Sequence, residues 1–111
     1  RLGTNIFIIC AGQNGRYAIE DAICAGGFVK RLGALTNGGI EETDGSRTAR
    51  HLYETVCDSL AEALAEADHG KDLINAGFEE DVKVAARVDC VGVVPVFRDG
   101  HIVAMDDSRS A

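Results

Sequence analysis

Two adjacent carboxylates, Glu20 and Asp21, stand just beyond a glycine-rich turn, Gly12-Gln13-Asn14-Gly15-Arg16. Together they are the part of this sequence best equipped for chemistry. Backbone amides of such a turn, with the Arg16 guanidinium, can cradle a phosphate or sulfonate. Glu20 and Asp21 are hard oxygen donors of the kind that hold Mg²⁺ directly or through its waters. Each half also has a plainer reading. Glycines in a turn simply permit positive φ, and acidic residues in a first helical turn favour the helix dipole. Charge links the two halves, because carboxylates repel a bound anion unless a cation lies between them. If the turn binds phosphate, a metal follows. The turn is a weaker signal than a full P-loop, as no Lys-Ser/Thr pair succeeds it.

A second acidic helix start occurs at Gly77-Phe78-Glu79-Glu80-Asp81. Three carboxylates there exceed what a helix dipole asks for, so Glu80 and Asp81 join the metal candidates, with a solvated helix start as the alternative. His69, before Gly70, either caps helix carbonyls or donates to an oxyanion and acts as a general acid. His51 and His101 read as surface residues. No Ser-His-Asp or Cys-His order and no nucleophile elbow are present. The chemistry reads as metal-assisted, and only Cys10 and Cys24 keep a covalent route open.

The elements that would position these groups follow from periodicity. Ile6-Phe7-Ile8-Ile9-Cys10 is a continuous apolar run, the pattern of a strand buried on both faces. From Ile19 the spacing changes to that of a helix face, Ile19, Ala22, Ile23, Gly26, Val29 and Leu32. Lys30 and Arg31 complement the dipole at its end, before Gly33. Gly26 and Gly27 imply close backbone packing against the sheet. The polar stretch from Leu35 to Ser46 is a candidate lid, and Ser46 or Asp44 can cap the next helix. That helix carries a stripe from Ala49 through Leu52, Tyr53, Val56, Leu60, Ala63 and Leu64 to Ala67. His69-Gly70 should interrupt, Gly77 should cap a short helical piece, and a further helix should begin near Glu79. Asp99-Gly100 between β-branched runs predicts a hairpin. Pro95 suits an edge strand, and the tail from Asp106 to Ala111 should fray.

The inventory is about three strands and four helical segments. The fold class is α/β, with helices layered around a mainly parallel or mixed sheet and a C-terminal β-hairpin. One fully buried strand and an edge hairpin cannot serve so many helices. The sheet is therefore expected to be completed by residues or a chain not present here, the 111 residues forming a single α/β unit. A start on Arg1, close ahead of a strand, also suggests a piece of a longer polypeptide.

Bulk properties narrow the partners. The chain is 46% hydrophobic and 26% charged, as in globular domains. Its net charge of −7 and lack of a basic patch speak against nucleic acid. No apolar run approaches the ~20 residues of a membrane helix. The leader pattern of a secreted protein is not expected at Arg1-Leu2-Gly3-Thr4. Cys10, Cys24, Cys57 and Cys90 have no C-x-x-C spacing and read as reduced packing thiols of a cytoplasmic protein.

With these residues in view, the chain resembles the C-terminal half of the 2-phosphosulfolactate phosphatases, the Mg²⁺-dependent ComB family of coenzyme M biosynthesis. The resemblance runs from about Ile6 to Ile102. It is carried by Cys10-Ala11-Gly12, Asn14-Gly15-Arg16, Glu20-Asp21 with Cys24-Ala25-Gly26, and His69-Gly70. It continues through Gly77-Phe78-Glu79-Glu80-Asp81-Val82, Ala85-Ala86-Arg87 and Val94-Pro95-Val96. It implies hydrolysis of a small anionic phosphomonoester, 2-phosphosulfolactate, whose phosphate, sulfonate and carboxylate need cationic partners. Mg²⁺, Arg16 and Arg87 would supply them. The metal set would draw on Glu20, Asp21, Glu80 and Asp81, with Glu20, Asp21 and His69 catalytic, and Gly12, Asn14, Gly15, Arg16 and Arg87 on the substrate. The resemblance also implies a missing N-terminal segment or second chain, and leaves a homo-oligomer open. The alternative is a non-catalytic module that binds a small anion or serves assembly.

Overall fold

A computed structural model describes residues 4–105 of the chain. The expected fraying of 106–111 lies outside the described residues. Helix α1, Ile19–Leu35, buries Ala22, Ile23, Ala25, Gly26 and Val29 along the face that its spacing marks out. It runs past Gly33, which the sequence reading took as its limit, so Lys30 and Arg31 fall short of the last turn. The true stop comes from Asn37, at φ 53°. That left-handed residue turns the chain so that the Gly38 amide reaches the Gly33 carbonyl at 2.7 Å, and the Asn37 amide donates to Ala34.

Helix α2, Asp44–Val56, packs on α1. The contact explains Gly26: a Cβ there would collide with the Ala49 carbonyl and lie 2.8 Å from Tyr53 Cβ. The glycine pair thus serves a helix–helix contact and not the sheet contact that was expected. The α2 N-cap is Thr43, whose hydroxyl accepts from the Ser46 amide at 3.2 Å, in place of Asp44 or Ser46. The preceding loop, read as a lid, is clamped at its end. Arg50 grips Glu42 with both planes of its fork, Nε to Oε2 at 2.7 Å and Nη2 to Oε1 at 2.9 Å, and reaches Glu54 at 3.0 Å.

The long stripe to Ala67 is broken. A turn at Cys57–Ser59 separates α2 from α3, Leu60–Glu66. The next break falls at Ala67, whose backbone is extended, so His69 and Gly70 lie inside α4, Asp68–Asn75, and do not interrupt it. Gly70 is buried, and a Cβ on it would meet the Leu64 carbonyl, so α4 sits tightly on α3. Gly77, at φ 92°, ends α4 as expected, with Phe78 donating to Leu73 at 2.8 Å. Helix α5, Glu79–Ala85, follows and packs on α3 and α4 through Val82.

Strands β1, Pro95–Arg98, and β2, His101–Ala104, form the expected antiparallel hairpin. Asp99 and Gly100 both take positive φ, the requirement of the tight two-residue turn. The mainly parallel or mixed sheet is not formed among the described residues; the hairpin is their one sheet. Ile6–Cys10 forms no strand here and is unpaired and exposed, Phe7 at 86% and Ile9 at 90%. A strand needs a neighbour to satisfy its amides and carbonyls, and none lies alongside. What forms is five helices and a hairpin, an α/β fragment whose buried core is small: Ala18, Ala22, Ile23, Ala25, Val29, Ala67 and Val82. The thiols correct another expectation, since Cys10, Cys24 and Cys90 are exposed and only Cys57 is half-buried. No helix among the described residues is long and apolar enough to cross a membrane.

Candidate active site

The glycine-rich turn is a tight reversal. Asn14 and Gly15 have φ of 51° and 73°, and Gln13 and Arg16 exchange both backbone hydrogen bonds at 3.0 and 2.9 Å. This is the two-residue turn of a hairpin and not an open P-loop-like cradle. The Gly12 amide is also committed, donating to Asp21 Oδ2 at 2.8 Å. Gly12 has φ 74°, and a Cβ there would stand 2.6 Å from the Arg16 carbonyl oxygen, so glycine is required. The amides of Asn14 and Gly15 have no backbone acceptor among the described residues, and Arg16 beside them is exposed.

The first turn of α1 sends its two carboxylates to different places. Asp21 faces the glycine turn, while Glu20 lines a cavity of about 140 Å³ between α1, α3, α4 and α5. His69 and Asp81 line the same cavity, with walls from Leu64, Ala67, Leu73, Val82 and Ala85. Three site residues from three separate elements thus border one cavity, whose lining is almost entirely apolar, without their polar groups forming a cluster. His69 Nδ1 is buried there and has no hydrogen-bond partner. A buried ring nitrogen without a partner is costly unless something else engages it.

The structure does not gather the other candidates at this cavity. Glu80 points to solvent and pairs with Lys83 at 2.9 Å, Glu79 lying 3.9 Å from the same ammonium. Arg87 follows α5 and is exposed, outside the cavity lining. Among the described residues, no three His, Cys, Asp or Glu side chains come together as a metal-holding group. The described residues therefore do not form a Mg²⁺ site by themselves, and Glu20 and Asp81 are the two carboxylate residues that border the cavity. Near the glycine turn, neighbouring groups that partly shield the Cys24 thiol from water push it up although the residue is exposed, with the Asp21 carboxylate and then Cys10 adding to it.

Sequence reasoning missed the apolar walls and the Arg50 clamp. Leu64 was visible in the α2–α3 stripe, but Leu73 stood in a short helical piece with no period to reveal its face. Helical phase could have separated Asp81 from Glu80, since Asp81 shares a face with Ala85 four residues on.

Comparison with known proteins shows the family. Residues 1–100 match the family described as 2-phosphosulpholactate phosphatase. The chain belongs to that family. A probable 2-phosphosulfolactate phosphatase of Thermotoga petrophila is 38% identical over 99 residues, covering 89% of this chain and 41% of the relative. One from Symbiobacterium thermophilum is 29% identical over 106 residues, covering 96% and 45%. One from Thermotoga maritima is 35% identical over 99 residues, covering 89% and 41%. The chain thus spans less than half the length of these 2-phosphosulfolactate phosphatase relatives, and matches their C-terminal half. No solved structure matches it significantly.

Proposed function

We propose that this chain contributes part of the active site of a Mg²⁺-dependent phosphatase acting on a small phosphomonoester, 2-phosphosulfolactate, in the cytoplasm. The observation that carries the reading is the family match over residues 1–100, which includes every site residue named above. The cavity supports it in that Glu20, His69 and Asp81 all border it. Arg16, with the free amides of Asn14 and Gly15, orients an anionic group of the substrate. Arg87 is a further cationic candidate for the sulfonate or carboxylate. His69 Nδ1 holds the proton that the departing alkoxide oxygen takes. Leu64, Leu73 and Val82 limit the water around that proton. Mg²⁺, when bound, would neutralise phosphoryl charge, and Glu20 and Asp81 are the donors this chain would lend to it. Asp21 contributes by fixing the glycine turn, and its second carboxylate oxygen is the remaining candidate donor.

The test is phosphate release from 2-phosphosulfolactate by the longest natural form of the chain, with and without Mg²⁺. Turnover abolished by chelator is the expected result. Thermal protection by the substrate without turnover would instead mark a module that only binds the anion.

A further inference from the structure

The segment Ile6–Cys10 makes no backbone hydrogen bond among the described residues, although its composition is that of an interior strand. Its exposure alternates along the chain: Ile6 46%, Phe7 86%, Ile8 40% and Ile9 90%. Period-two alternation means two faces. One face, Ile6 and Ile8, is partly covered by the chain itself. The other, Phe7 and Ile9, is open, and so are both edges. An apolar strand in this state is an adhesive edge that folded proteins keep paired or covered. The chain supplies 41 to 45% of the length of its relatives, so the larger part of the family's polypeptide lies outside it.

We infer that Ile6–Cys10 is an interior strand completed by the N-terminal half of the family's fold, which pairs with its edges and covers Phe7 and Ile9. The inference rests on family membership and goes beyond the proposed phosphatase activity. It has a consequence for the site. The strand leads directly into the turn that Asp21 holds against α1, and ligands in open α/β sheets bind beyond the carboxyl ends of strands. Docking of the other half would therefore place its own residues beside Arg16 and Glu20, and supply the donors that no cluster among the described residues provides.

The test co-expresses the tagged 111-residue chain with the N-terminal half of the Thermotoga petrophila relative, and reads association and amide hydrogen exchange without substrate. The expected result is a one-to-one complex in which amides 6–10 exchange roughly a hundredfold more slowly than in the chain alone. The pair Phe7→Asp and Ile9→Asp should abolish co-purification while leaving the helical circular dichroism of the isolated chain unchanged, because both side chains are already exposed in it. Three results would overturn the inference: no co-purification, a complex in which 6–10 exchanges as fast as before, or the same protection in a homodimer of the chain alone. None of these readouts involves turnover, so failure of the phosphatase reading would be seen separately.

Discussion

The backbone amide of Gly12 donates to Asp21 Oδ2 at 2.8 Å, bridging nine residues between the glycine turn and the first turn of α1. The bond fixes the turn relative to the helix that carries Glu20 into the cavity. It also removes Gly12 from the set of amides free to meet an anion. Asp21 is well placed for this duty, since the helix dipole favours a carboxylate there.

Replacing Asp21 should separate anchoring from metal binding. A part-buried, charge-assisted hydrogen bond contributes about 1.5–3 kcal/mol. Asp21→Ala should cost about 2 kcal/mol in urea unfolding and speed exchange at the Gly12 amide. Asp21→Asn keeps an oxygen acceptor and should cost under about 1 kcal/mol, with Gly12 still protected. Equal losses in the two variants would mean that the negative charge, and not the acceptor geometry, is what this position needs.

Gly26 and Gly27 are neighbours in one helix with opposite expected responses to alanine. At Gly26 the new methyl meets the Ala49 carbonyl of α2, which cannot move without separating the helices. Gly26→Ala should destabilise by about 3 kcal/mol or more. At Gly27 the nearest atom is the Tyr53 ring at 3.2 Å, the far end of a side chain that can shift. Helix propensity gains up to about 1 kcal/mol there, so Gly27→Ala should be close to neutral. Thermal unfolding of the two variants checks the contrast.

Local signals were legible where the chain satisfies itself. The α1 stripe, the Gly77 cap and the Asp99-Gly100 hairpin each depend on residues close in sequence, and each is formed. The breaks at Cys57–Ser59 and Ala67 were hidden because the apolar stripe runs across both without a glycine or proline. Thr43 was passed over as a cap because Asp44 and Ser46 are equally suitable by type. The parallel sheet was read from one strand whose partners are not among the described residues, so its hydrophobic pattern had nothing here to act on. At the site, residue type points to Glu20, His69 and Asp81 along with Glu80 and Arg87; helical phase sets Asp81 apart from Glu80, and the packing of α3, α4 and α5 sets the three apart from Arg87.

The clamp between Glu42 and Arg50 gives the loop before α2 a pH dependence. The Arg50 hydrogen bonds hold the Glu42 carboxyl below its ordinary range, and the same bonds raise Arg50. A carboxyl lowered in the folded state contributes stability that is fully present above its unfolded pKa of about 4.3. That contribution is lost as pH falls through the lower folded value. Glu42→Gln should therefore unfold more readily than the parent at pH 6, with the difference shrinking below about pH 4. Both side chains reach solvent, so added salt should also weaken the effect. Urea midpoints between pH 3 and pH 6, about the range of carboxyl titration, would measure it. A difference that grows on acidification would contradict the assignment.

His69 offers a test in which stability and activity move in opposite directions. Its Nδ1 is buried without a hydrogen-bond partner, and an unsatisfied buried polar atom costs about 1–3 kcal/mol. His69→Leu fills a similar volume with no polar atom, so the variant should be as stable as the parent or more so, by up to about 1 kcal/mol. If His69 Nδ1 supplies the proton to the leaving oxygen, the same change in the active phosphatase should lower kcat by about 10²–10⁴-fold. A variant that is less stable yet turns over normally would assign His69 to packing and leave Glu20 and Asp81 as the functional content of the cavity.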